Sequence, residues 1–212
     1  MNDNQKYIEK YLENHRNEII SMWSDLVNLE SYWGDGAAVD KCSDWIKEQF
    51  EKEGFVCKKI QVGEGHGDVL TGILGPERKG DPILFGGHMD TVFEEGSVGK
   101  FRIEGDKAYG PGVLDMKGGI IIALHTVKLL NELGYNDRPL KIVFAGDEEC
   151  LHYGSDAYEV LMEEGKGAAY ALNMETGLIG NELCVSRKGR ADIKIDVEGV
   201  WFSFDILLES PE

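Results

Sequence analysis

Apolar residues near the start of the chain fall at helical spacing. Tyr7, Ile8, Tyr11, Leu12, Ile19, Met22, Trp23, Leu26 and Val27 predict one or two amphipathic helices over 5–29. A second helix is predicted over 39–52, with Cys42, Trp45, Ile46 and Phe50 on one face and Gly54 as its stop. The period then shortens, and strands are predicted at 55–62, 69–74 and 82–87. Residues 101–109 read as a hairpin turning at Gly105, and 117–133 as a helix closed by Gly134. A strand at 140–145, a helix at 155–164 with Ser155 as N-cap, and strands at 168–172 and 183–186 complete the series.

Strands alternate with helices, and Ile142-Val143-Phe144 runs apolar without a polar break. That pattern predicts an α/β fold: a mixed, mostly parallel sheet with helices on both faces. The character changes at Arg187-Lys188-Gly189-Arg190, after which Ile193, Ile195 and Val197 alternate as in a strand with one buried face. We therefore divide the chain into residues 1–186 and the opening of a second domain over 187–212.

Charge and composition narrow the setting. A formal net charge of -17 on 212 residues would repel phosphates, which argues against nucleic acid or an anionic membrane as partner. The charged N-terminus has no signal-type apolar stretch, and the apolar run 118–124 is too short to span a bilayer. Cys42, Cys57, Cys150 and Cys184 lie far apart without a C-x-x-C pair, as expected of reduced thiols in a cytoplasmic protein.

Four short segments carry the candidate chemistry: GGHMDTV (86–92), GPGVLDMKGG (110–119), AGDEEC (145–150) and LNMETG (172–177). His88 and Asp90 are one residue apart, so on extended backbone both point the same way. Asp90 is then placed to hold the second ring nitrogen of a metal-bound His88, although a plain turn hydrogen bond would need no metal. Asp115 lies among Gly110, Gly112, Gly118 and Gly119, which permit the close approach that a carboxylate shared by two cations needs; a helix N-cap is the alternative. Glu148 and Glu149 follow a strand, where one can bind a metal and the other act as base on water, or both can form an acidic first helical turn. Glu175 by itself says little. All four segments would meet at the carboxyl edge of an α/β sheet, where such acidic groups repel one another without cations.

The remaining histidines fit quieter places. His15 falls on a polar helix face, His125 inside a helix and His66 in a glycine-rich loop, while His152 is near enough to the acidic pair to line the cleft or support it. Cys150 reads as a buried thiol, with metal binding as the minor alternative. Gly63 to Gly67 is not a dinucleotide-binding G-x-G-x-x-G, and neither a phosphate-binding P-loop nor a G-x-S-x-G elbow occurs.

GGHMDTV, YGPGVLDMKGG, AGDEE and NMETG, in this order, resemble the dinuclear zinc peptidases related to glutamate carboxypeptidase, aminoacylase and succinyl-diaminopimelate desuccinylase. The likeness runs from the N-terminal helices to about Gly199. It implies His88 and Glu175 as ligands of one Zn2+, Glu149 as a ligand of the other, and Asp115 bridging both. It further implies that Asp90 orients His88, that Glu148 is the general base, and that a cis peptide follows Asp115. The implied reaction is metal-assisted hydrolysis of a peptide or N-acyl amino acid amide, in which Glu148 takes the proton of water and passes it to the leaving amine. Co2+ or Mn2+ would suit the same mixed ligands.

The resemblance also implies a distant histidine on the second zinc, a further histidine in a lid domain, and homodimers built through that domain. Here Val197-Glu198-Gly199-Val200 is followed by twelve residues without a histidine, an ending unlike the family. We therefore expect a chain broken just inside the lid domain: one metal position with three ligands, the other with only Asp115 and Glu149, and impaired activity. The rivals are a non-catalytic metal-binding remnant and an acidic cleft for calcium, for which His88 is a poor ligand.

Overall fold

The structure, a computed structural model, describes residues 3–177. The strand expected at 183–186, the alternating segment 193–197, the second domain and the closing twelve residues lie outside the described residues.

The N-terminal pattern forms one helix, α1 (Asp3–Asn28), which buries Tyr11, Leu26 and Val27. In α2 (Gly36–Lys52), Val39, Cys42, Ile46 and Phe50 recur on one face and are fully buried. Its first turn is capped by Asp35, whose carboxylate accepts from the Ala38 amide at 3.0 Å. Next come β1 (Val56–Ile60), β2 (Gly67–Leu74) and β3 (Ile83–His88), then the hairpin β4 (Arg102–Glu104) and β5 (Lys107–Tyr109). The chain continues through α3 (Lys117–Glu132), β6 (Leu140–Gly146), α4 (Ala157–Gly165) and β7 (Tyr170–Asn173).

The main sheet has the order β1-β2-β6-β3-β7. β3 pairs in parallel with both β6 and β7, whereas β2 is antiparallel to β1 and β6. Only β2 therefore runs against the other four strands, which is the mixed, mostly parallel sheet expected. Residues of β6 alternate between two cores. Leu140, Ile142 and Phe144 pack with residues of α2 and α3, while Val143 faces a smaller cluster with Val62, Val69 and Ala157. An uninterrupted apolar run is what a strand covered on both faces requires. Each large side chain fully buried here, such as Phe50 or Phe144, contributes about 1.5–3 kcal/mol of apolar transfer energy.

One expectation needs correction. Ser155 does not cap α4, whose N-cap is Asp156 without a side-chain cap bond. The Ser155 hydroxyl still accepts from the Ala157 amide at 3.3 Å, but it donates to Asp147. The two bonds do not compete, because the hydroxyl gives its hydrogen to the buried carboxylate and keeps its lone pairs for the amide.

Candidate metal centre

β3, β6 and β7 run in parallel, so their carboxyl ends reach the same sheet edge, from which three of the candidate segments extend, while the fourth, 110–119, leads from β5 into α3. His88 is the last residue of β3 and is buried. Beyond it the chain stays extended because both neighbours hold it. The Met89 amide donates to the Ala145 carbonyl at 2.8 Å, and the Thr91 amide to the Ser31 carbonyl at 2.8 Å. Asp90 thus falls on the His88 side, fully buried, with Oδ1 3.2 Å from His88 Nδ1. Its other oxygen accepts from the Glu149 amide at 2.9 Å. Asp90 orients the imidazole and also ties the β6 loop to the β3 loop, a contact that spacing alone did not reveal.

Asp115 does not cap α3. The cap position is Met116, which makes no side-chain cap bond, and the Asp115–Met116 peptide is cis as the resemblance implied. Asp115 Oδ1 instead lies 3.1 Å from His88 Nε2. Its loop is clamped by α1 and the residue that follows it: Trp23 Nε1 donates to the Val113 carbonyl at 3.1 Å, and buried Lys117 donates from Nζ to the Leu29 carbonyl at 2.6 Å. Lys117 went unremarked in the sequence. Burial lowers its pKa, and its role in this structure is to hold the loop that carries Asp115.

Glu148 and Glu149 do not begin a helix; turns follow β6 until α4 starts at Ala157. Glu148 Oε2 lies 3.8 Å from His88 Nε2. Glu175 follows β7, whose pairing with β3 is continued by the Met174 amide donating to the Gly86 carbonyl at 2.8 Å. A Cβ on Gly119 would stand 1.8 Å from the Met174 carbonyl oxygen, so only glycine lets α3 approach this segment. Glu175 Oε1 ends 3.2 Å from His88 Nε2.

The structure therefore brings His88, Asp90, Asp115, Glu148, Glu149 and Glu175 together. His88 groups with Asp115 and Glu149, and also with Glu148 and Glu175, so that one ligand atom from each lies within 4.8 Å of the others. Charge is unbalanced. A single Nε2–H can serve only one acceptor, yet three carboxylates converge on that nitrogen. Burial disfavours a charged His88, but Asp90 and Glu175 outweigh it and raise its pKa to about 11. Burial raises Glu148, and burial with repulsion from Asp115, Asp90 and Glu148 pushes Glu149 up to about 7 against the pull of His88. Glu175 is lowered, chiefly by its hydrogen bond with His88.

This donor set fits a divalent cation. Two ligands about 2.0–2.1 Å from a tetrahedral zinc stand roughly 3.3 Å apart. The 3.1 and 3.2 Å separations of Asp115 and Glu175 from His88 Nε2 are close to that spacing.

A second polar cluster lies outside this set. Asp147 is fully buried, with Oδ1 2.7 Å from His152 Nδ1 and Oδ2 3.3 Å from His66 Nδ1. His15 and His125 serve the α1–α3 contact instead. His15 stacks on Tyr11, and the Tyr11 hydroxyl lies 3.1 Å from His125 Nδ1. Cys42, Cys57 and Cys150 are free thiols, and no described helix is long and apolar enough to cross a membrane.

The chain is similar to known proteins over most of its length. The chain is 36% identical over 186 residues to carboxypeptidase G2 of Pseudomonas sp. (strain RS-16), covering 85% of this chain and 44% of that protein. It is 29% identical over 183 residues to succinyl-diaminopimelate desuccinylase of Ehrlichia ruminantium (strain Gardel), covering 78% and 45%. The fold is shared with human carnosine dipeptidase 1, at a TM-score of 0.70 and 17% identity over 80% of this chain and 41% of that one. An M20 family metallo-carboxypeptidase from Sulfolobus solfataricus aligns with a TM-score of 0.62 and 22% identity over 76% and 38%. The chain spans about half the length of the curated relatives it matches. Residues 84–205, more than half of the chain, match the Peptidase family M20/M25/M40, and the chain belongs to that family.

Proposed function

We propose that this chain carries the metal centre of a metal-dependent amide hydrolase acting on a small peptide or N-acyl amino acid. The observation that carries the reading is the convergence of Asp115 and Glu175 on His88 Nε2, at 3.1 and 3.2 Å, from two different loops. His88, Asp115 and Glu175 would hold one Zn2+, with Co2+ or Mn2+ as possible substitutes. Asp115 and Glu149 would hold a second ion more weakly, as only these two ligands come from the described residues. When bound, the cation supplies Lewis acidity that polarises the amide carbonyl and acidifies water.

The side chains divide the remaining work. Asp90 accepts from His88 Nδ1 and so leaves Nε2 free for the cation. Glu148, partly exposed beside His88 and raised by burial, takes the proton of the attacking water and delivers it to the leaving nitrogen. On the same reading, residues 1–186 are the N-terminal part of the catalytic domain and 187–212 the start of a lid or dimerisation domain. The protein works in the cytoplasm on small substrates.

Metal content by mass spectrometry and hydrolysis of N-acyl amino acids test this together. Bound zinc with turnover that Glu148→Ala abolishes, while zinc is retained, supports the enzyme. Less than one metal per chain and no turnover would leave a non-catalytic remnant.

A further inference from the structure

The Asp147 cluster has a role still to assign. We propose that His66, Asp147 and Cys150 form a separate site for a thiophilic divalent cation of the zinc class. One ligand atom from each lies within 4.8 Å of the other two, and none belongs to the His88 groups. His66 Nδ1 and Asp147 Oδ2 are 3.3 Å apart, the separation of two ligands around a tetrahedral zinc, roughly 3.3 Å. A His/carboxylate/thiolate set selects zinc-class ions over calcium or magnesium, which take oxygen ligands.

The site is built rather than accidental. Asp147 is fully buried at the end of β6, with its orientation fixed from two sides. His152 Nδ1 bonds Oδ1 at 2.7 Å, and the Ser155 hydroxyl donates to Oδ2. A hydroxyl can rotate, so Oδ2 can be released to a cation while His152 still holds Oδ1. Leu151 and His152 both adopt left-handed backbone, with φ of 59° and 57°, in the turn that follows Cys150. The Cys150 thiol lies 3.3 Å from the Asp147 carbonyl. His66 comes from the loop before β2, and the Asp156 amide docks on the Val62 carbonyl at 2.8 Å, which holds the two loops together.

Cobalt(II) separates this site from the His88 site, because only a thiolate ligand gives an intense near-ultraviolet charge-transfer band. The chelator-treated 212-residue chain, titrated with Co2+, is expected to develop that band and to lose it on addition of Zn2+. Cys150→Ser and His66→Gln should each remove the band, with far-ultraviolet circular dichroism confirming that both variants fold. A variant with Cys42, Cys57 and Cys184 all changed to Ser should keep it, as should His88→Ala. His152→Gln should weaken zinc binding at this site by about 10–100-fold. No band at saturating cobalt in the folded chain would overturn the proposal and leave Asp147 as a loop pin alone. A band that survives Cys150→Ser would overturn it as well.

Discussion

Two histidine–carboxylate clusters flank the end of β6, and they are built the opposite way round. At one, a single imidazole, His88, faces carboxylates from three loops, with Glu148 and Glu149 raised in pKa. At the other, a single carboxylate, Asp147, sits between two imidazoles and a hydroxyl. Despite its burial its pKa is lowered by His152 and Ser155, and that of His152 is raised by their hydrogen bond. The first cluster carries surplus negative charge that the described residues do not neutralise. The second balances its own charge and can stand without a ligand. Residues of the same types, one position apart in sequence, thus give a site that needs a cation and a site that can merely accept one.

The largest effects should separate the two clusters. Glu148→Ala is expected to lower the rate of amide hydrolysis by about 10²–10⁴-fold with zinc retained, measured as kcat alongside metal content. Asp147→Ala should act on the fold instead. It leaves half-buried His152 and Ser155 without their acceptor and should cost about 1–3 kcal/mol in urea unfolding of the chelated chain. Equal loss of stability in both variants would erase the distinction.

Asp90 tests how the first cluster is held. Asp90→Asn keeps the volume but weakens the grip on His88 Nδ1 and on the Glu149 amide. A 10–100-fold loss of zinc affinity by calorimetry is expected. Unchanged affinity would remove Asp90 from the metal centre.

Proton linkage should give Glu149 and Asp147 opposite signs in the chelated chain. Glu149 rises from 4.5 to about 7 on folding, and His88 from 6.5 to about 11. The folded state therefore holds extra protons between these values, and stability should fall as pH rises from 4.5 through neutrality. Asp147 is lowered from 3.8, so its contribution is present above that pH and is lost as pH falls through its folded value. Urea midpoints measured across pH, in Asp147→Asn and in Glu149→Gln, check which slope each variant removes. Saturating zinc should flatten the neutral slope, because the cation replaces the protons.

What the sequence disclosed follows from where the information sits. The strands at 82–87 and 140–145 and the helix at 117–133 are long, periodic segments, and each was found to within a residue or two. His88, Asp90, Asp115, Glu148, Glu149 and Glu175 were legible because each lies in a short motif at a strand or helix end, and parallel pairing of β3, β6 and β7 brings all of them but Asp115 to one edge. The Asp147 cluster was not. His66 reaches Asp147 only because two irregular loops dock through the Val62 carbonyl, and no local period encodes that contact. Ser155 was misread for the same reason: capping is a local rule, whereas its partner is a carboxylate eight residues back. The burial of Lys117 depends on the carbonyl of Leu29, far away in sequence.

The most direct test is calorimetric titration of zinc into the chelator-treated 212-residue chain carrying Cys150→Ser, which silences the Asp147 cluster, with and without His88→Ala. His88 is the common member of both ligand groups at the sheet edge. Its removal should abolish the high-affinity zinc isotherm while circular dichroism shows the fold retained. Undiminished zinc affinity in His88→Ala would contradict a metal centre organised on this imidazole and return the carboxylates to an oxygen-only cation cleft.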